Sequence, residues 1–194
     1  MPKKYLTCAY AKKYMHQTQV SESIRATTMS AVVAISSEHG LVTHHITEGA
    51  FNADIFLVFL AQIKLMVGDS VVIFMDNLRV HHSKPVAERL KMYGWVTVFN
   101  AAYSSELHCI ENVFGGVKRN YKKFMREETG KIPDWKHRKF IRESIEAITN
   151  QQIKKTIARF ERIWELILQN KDSWRKRPDE LDLGRWFDLM KKTE

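Results

Sequence analysis

The sequence predicts an α/β fold, a mixed β-sheet flanked by helices, and three observations predict it. A strand, a short helix and a second strand follow one another between Ser70 and Phe99; such a βαβ unit joins parallel strands through a right-handed crossover. Two β-rich runs, Thr27 to Ile35 and Leu41 to Ile46, flank the turn Ser36-Ser37-Glu38-His39-Gly40, the pattern of an antiparallel hairpin. Helical periodicity then dominates from Ile110 onward. With 194 residues, 44% apolar and 27% charged, the chain suffices for one well-buried domain and falls short of two ordinary ones.

Taken in order, residues 1–26 carry no clear period, and only Tyr5 to Ala11 reads as a short strand. Asn52 is placed to cap a helix whose apolar residues Ile55, Phe56, Phe59, Leu60 and Ile63 form a wide face ending at Gly68. The run Ser70 to Met75, set between Gly68-Asp69 and Asp76-Asn77, reads as a central strand buried on both faces. Asp76 therefore stands at a strand's C-terminal end, where open α/β sheets place their ligands. Ser83 as cap, Pro85 in the first turn, and Val86, Leu90 and Tyr93 at i, i+4, i+7 make a short amphipathic helix closed at Gly94, and Val96 to Phe99 is the next strand.

Ser104 or Ser105 is expected to cap a helix with the apolar face Ile110, Phe114, Val117 and Tyr121. Glu111 lies about 100° round from that face, in line with Gly115, Lys118 and Lys122. Adjacent glycines at 115 and 116 cost about 1 kcal/mol each in a helix relative to Ala, so a neighbouring helix or a phosphate chain is expected to approach there closely. Ile141, Ile145 and Ile148, then Ile153, Ile157, Phe160, Trp164 and Ile167, describe two more helices joined near Asn150-Gln151. Beyond Pro178, Leu183 to Met190 reads as a last short helix capped by Asp182, with Trp174 and Trp186 as packing residues.

Charge narrows the partners. A net charge of +9 points to a polyanion, and Lys118 to Arg142 hold ten Lys or Arg against three acids. Cys8 and Cys109 make no disulfide framework and no CxxC spacing, so a reducing intracellular setting is expected, the nucleus in a eukaryote. The longest apolar run, Ile55 to Ala61, is far short of the roughly 20 residues of a spanning helix, and no membrane role is expected. A zinc hydrolase built on His44, His45, His81 and His82 has no support, because adjacent strand residues face opposite ways and no HExxH spacing occurs.

The stretches Met75 to His81 and Leu107 to Asn112, together with the spacing between Asp76 and Glu111, resemble the mariner-like DDE transposases, the DDE superfamily endonucleases. Met75-Asp76-Asn77-Leu78-Arg79-Val80-His81 is similar to the family's strand ending in Asp-Asn with a His four residues after the Asn. Leu107-His108-Cys109-Ile110-Glu111-Asn112, ahead of Lys118-Arg119, is similar to its Leu-Asn-Pro-Ile-Glu-Asn motif, with His and Cys in place of Asn and Pro. Thirty-four residues lie between Asp76 and Glu111, a spacing typical of one large branch. The Pro-rich lead-in of the family is here Ala101-Ala102-Tyr103-Ser104-Ser105.

The resemblance implies a ribonuclease-H-like mixed sheet with flanking helices over residues 1–130, and a C-terminal helical extension, 131–194, packed on the same domain. It implies metal-dependent cleavage and strand transfer of DNA, with Asp76 and Glu111 as catalytic and metal-binding acids for Mg²⁺ or Mn²⁺. His81, Lys118, Arg119, Lys122 and Lys123 are then expected to contact DNA, both transposon ends and target, in a homodimer. No Asp precedes Asp54. The match is therefore expected to cover roughly residues 25–125, with the fold incomplete at its N-terminal strand. Its first catalytic Asp and its helix-turn-helix DNA-binding region are expected to be missing.

Two hypotheses follow. One is a truncated endonuclease domain that is weak or inactive alone, since two acids hold one ion where three hold two. The alternative is a non-catalytic, transposase-derived protein that binds nucleic acid or a partner through its basic helices.

Overall fold

Parallel and antiparallel pairing meet at one strand, β1 (Lys4–Lys13), which lies at the centre of a five-stranded sheet. This is a computed structural model, and it describes residues 4–13, 28–100, 107–130 and 132–169. The elements that follow are β2 (Met29–Ser36), β3 (Gly40–Glu48), α1 (Ala53–Val67), β4 (Val71–Met75), α2 (Lys84–Met92), β5 (Val96–Phe99), α3 (Cys109–Arg126), α4 (Asp134–Glu146) and α5 (Asn150–Gln169). Strand order is β3-β2-β1-β4-β5. The first three strands in sequence pair antiparallel, while β1, β4 and β5 run parallel. Met1–Ala158 form one compact unit and Arg159–Glu194 a second, of which the C-terminal part of α5 is described.

The expected hairpin and βαβ unit are both present, but the expectation of a sheet incomplete at its N-terminal strand is corrected. β1 fills that place over ten residues, from Leu6↔Ser36 to Lys13↔Met29 against β2 and from Lys4↔Val71 to Cys8↔Met75 against β4. Its signal in the sequence is weak because Thr7, Cys8, Ala9 and Ala11 are small residues, without the bulky β-branched run that marks β2 or β4.

Helices cover both faces. On one, Val32 and Ala34 of β2 and Ile73 and Met75 of β4 pack with Phe56, Phe59, Leu60 and Ile63 of α1 and Val86 and Leu90 of α2. Side chains alternate along a strand, so Val33 and its register partner His44 lie on the other face. There His44 reaches Glu146 of α4 at 3.8 Å, and Phe74 stacks on His108 just before α3. Tyr121 and His137 bind each other at 2.8 Å and tie α3 to α4, as Asn120 does by donating to the Ser144 carbonyl.

Local chemistry sets the boundaries. Asn52 caps α1 by accepting the Ile55 N–H, and Gly68 ends it with φ +74°. Ser83 and Pro85 start α2, although the Ser83 hydroxyl makes no capping bond. α3 starts at Cys109 with His108 at the cap position, which corrects the expected Ser104 or Ser105 cap; those serines, like the expected helix at 183–190 and Trp174 and Trp186, lie outside the described residues. Of the paired glycines, among the described residues only Gly116 is closely approached, since a Cβ there would sit 2.8 Å from Ile148 Cδ1, whereas one at Gly115 would meet nothing within 4 Å. The close approach at Gly116 is thus made by a neighbouring side chain.

Candidate active site and basic faces

Asp76 leaves the end of β4 and is folded back on by the turn that follows. Its Oδ1 accepts the Leu78 N–H at 3.2 Å and lies 2.8 Å from His81 Nδ1, which is also 3.2 Å from the Asp76 carbonyl. Nδ1 therefore carries the proton and donates. His81 is 1% exposed and packs on the Phe56 ring at 4.5 Å, and its Nε2 has no hydrogen-bond partner among the described residues. Around this turn Asn77 Nδ2 donates to the Asn100 carbonyl at 2.5 Å, and Asn100 N–H to the Met75 carbonyl at 2.8 Å. His82 stacks on Phe99 at 4.1 Å. The ends of β4 and β5 are thereby held together.

α3 brings the second acid. Ile110, Phe114, Val117 and Tyr121 form its buried face, as the periodicity predicts, and Glu111 in the first turn is exposed. Burial would push the Asp76 carboxyl up, but the His81 hydrogen bond and charge, with the Leu78 N–H, outweigh it and hold the pKa below the ordinary value. Partial burial raises Glu111; the Lys118 ammonium opposes that rise and the Asp76 charge adds to it. Asp76 and Lys118 thus both act electrostatically on Glu111. His108, which in the sequence stands out only as a departure from a motif, lies in the same cluster. It is 1% exposed, stacked 4.7 Å from Phe74, and neither ring nitrogen has a hydrogen-bond partner among the described residues. Burial lowers its pKa to about 4, against the pull of Asp76 and helped by His81. A His just ahead of an acidic first turn is the signal that would have found it.

Lys118, Arg119, Lys122 and Lys123 are all exposed along α3. The expectation that His81 contacts DNA is corrected, because its side chain is sealed beneath Asp76 and Phe56 and orients the carboxylate instead.

The family model for DDE superfamily endonucleases matches residues 2–132. The chain belongs to the DDE superfamily endonucleases. The match takes in β1 and so runs further than the 25–125 read from the motifs. Among solved structures, this DDE endonuclease chain is similar to the pre-cleavage Mos1 transpososome, with TM-score 0.64 and 15% identity over 83% of this chain and 54% of that one. It is also similar to the mariner Mos1 paired-end complex with Mg, with TM-score 0.65 and 15% identity over 86% and 55%. The Mos1 transposase catalytic domain with raltegravir and Mg gives 0.63 and 15% over 83% and 80%. At that identity the likeness is one of fold, the ribonuclease-H-like sheet with its helices. The chain spans about half the length of the larger Mos1 chains. A search of curated proteins finds no match.

The family's divalent ions are tested by the donors present. Position 9 follows Cys8 as Asp76 follows Met75 in the paired strands β1 and β4, and residue 9 is Ala. Among the described residues, no group of three or more His, Cys, Asp or Glu is placed to hold an ion. One oxygen of Asp76 is engaged by His81 and Leu78. These residues do not fit a two-ion set.

Proposed function

We propose that this chain is a transposase-type DDE endonuclease domain acting on DNA phosphodiesters, with cleavage and strand transfer that are weak or silent in the chain by itself. The observation that supports the reading is that the charges of Asp76 and Lys118 both act on the Glu111 carboxyl. Their two carboxylates support at most weak binding of Mg²⁺ or Mn²⁺, since hard cations want several oxygen ligands. Lys118, Arg119, Lys122 and Lys123 supply a cationic row for phosphate contact. Pairing of two copies on two DNA ends is the assembly this reading expects.

Ala9 beside Asp76 favours a second reading, a DNA-binding protein of the same descent that has lost cleavage. Nicking of supercoiled plasmid in Mg²⁺ or Mn²⁺ separates the two. Slow, metal-dependent nicking abolished by Asp76→Ala and by Glu111→Ala supports the first. Salt-sensitive DNA binding without nicking supports the second, and absence of any DNA binding rejects both.

A further inference from the structure

Among the described residues, the most exposed aromatic ring shares its helix face with cations. Trp135 in the first turn of α4 is 66% exposed. Residues at i, i+3, i+4 and i+7 share one face of a helix, and from Trp135 these are Arg138, Lys139 and Arg142, each exposed. The buried residues His137, Phe140, Ile141, Ser144 and Ile145 occupy the other side of α4. A Trp that only completed a core would belong with them. Instead its ring shares a stripe with three cations.

The stripe has a fixed place. Arg138 Nη2 donates to the Ile46 carbonyl of β3 at 3.3 Å, and the positive charges of Arg142 and Arg138 add to burial in lowering the pKa values of His44 and His45 respectively. Ile46 pairs with Ala31 and Ala31 with Ala11, two residues beyond the position next to Asp76. β3 is separated from β4 by β2 and β1, which at about 4.8 Å per strand makes roughly 14 Å. The Ile46 carbonyl that Arg138 reaches therefore lies toward the rim of the sheet at which β4 ends and Asp76 stands.

We propose that Trp135, Arg138, Lys139 and Arg142 form a binding surface for single-stranded nucleic acid, in which an unpaired base stacks on the Trp135 ring and the three cations take the adjoining phosphates. The inference rests on the reading of the chain as a DNA-acting domain and adds to it a second contact surface and a preference for unpaired strand. Aromatic rings exposed within a basic groove stack bases without regard to sequence, and a base can offer its face only when it has left the duplex stack. Beside the Arg138 bond to the Ile46 carbonyl, the competing ion pair found among the described residues is weak. Lys139 meets Glu143 at 3.7 Å across an exposed i, i+4 spacing, a pair that contributes little in water and is readily exchanged for a phosphate. Lys136, by contrast, is held by Glu128 and lies over the Phe140 ring, and has no part in the surface.

Fluorescence anisotropy with a labelled oligo(dT) strand and with a labelled duplex of the same length tests this on the full chain. Trp135→Ala is expected to weaken the single strand about tenfold, the loss of one base stack, and to leave the duplex unchanged. Trp135→Phe keeps a ring and most of the affinity. The Lys139→Gln/Arg142→Gln double variant is expected to lower the salt slope for the single strand by about 0.7 per lost contact, while Trp135→Ala leaves that slope as it was. Circular dichroism of each variant reports its fold. Single-strand affinity indifferent to Trp135→Ala, or an equal loss for duplex and single strand, overturns the proposal while duplex binding leaves the DNA-acting reading intact. A chain that binds neither probe overturns both.

Discussion

His81 and Asp76 act as one unit, with Nδ1 of the histidine 2.8 Å from Oδ1 of the aspartate and 3.2 Å from its carbonyl oxygen. The imidazole is buried against Phe56, so it holds the carboxylate from beneath. Replacing it removes a charge-assisted hydrogen bond and a packed ring together. His81→Ala is expected to lower unfolding stability by about 2–4 kcal/mol, read from the urea midpoint. A double-mutant cycle with Asp76→Ala should show coupling of about 1 kcal/mol or more. Strictly additive losses would mean that the contact contributes nothing.

His108 gives the protein a pH-dependent stability. Its folded pKa, about 4, lies below the ordinary value of 6.5, so the unfolded chain binds more protons between those values. Stability is then fully present above pH 6.5 and declines as pH falls toward 4. At about 1.4 kcal/mol per unit the shift amounts to at most about 3.5 kcal/mol. Urea unfolding at pH 7.5 and 4.5 should show a smaller loss in His108→Asn than in the parent. His44 and His45, also lowered by burial, contribute the same sign in both proteins and cancel in the difference. An identical pH loss in the two would refute the assignment.

Much of this is legible in the sequence where pattern and chemistry coincide. The α1 face, the strand ending at Asp76 and the buried stripe of α3 follow from period and bulk, and in the structure the charge of Asp76 acts on Glu111. β1 is harder to read, because Thr7, Cys8, Ala9 and Ala11 make a central strand of small residues, and centrality is conferred by its partners on either side. Sequence misplaces the cap of α3 because serines are common caps, while here His108 is kept at the helix start by its stack on Phe74. Burial of His81 depends on Phe56, 25 residues upstream, a contact no local pattern reveals.

The glycine pair of α3 separates helix propensity from packing. Gly115 is exposed, and a methyl added there would have nothing within 4 Å among the described residues, so Gly115→Ala is expected to stabilise by about 0.5–1 kcal/mol. At Gly116 the same methyl meets Ile148 Cδ1 at 2.8 Å. That contact is with the tip of a flexible side chain, so Gly116→Ala should gain less than its neighbour, and Gly116→Leu should destabilise outright. Thermal melts of the three variants rank them, and equal gains at the two positions would remove Ile148 from the account.

Ala9 is the position from which the site's metal response can be changed. It follows Cys8 as Asp76 follows Met75 in adjacent parallel strands, so Ala9→Asp adds a carboxylate at the rim where Asp76 stands. Without an ion, the added like charge should lower the melting temperature. With Mg²⁺ or Mn²⁺ the variant should recover, since a ligand at a hundred times its Kd stabilises by about 2.7 kcal/mol, whereas the parent should respond little. Removing Glu111 in the Ala9→Asp background should abolish the recovery, because the ion then loses one of its acids. Plasmid nicking in the same buffers should rise with the metal-dependent stabilisation. If Ala9→Asp melts with the same metal dependence as the parent, position 9 does not face the ion and the third acid belongs elsewhere.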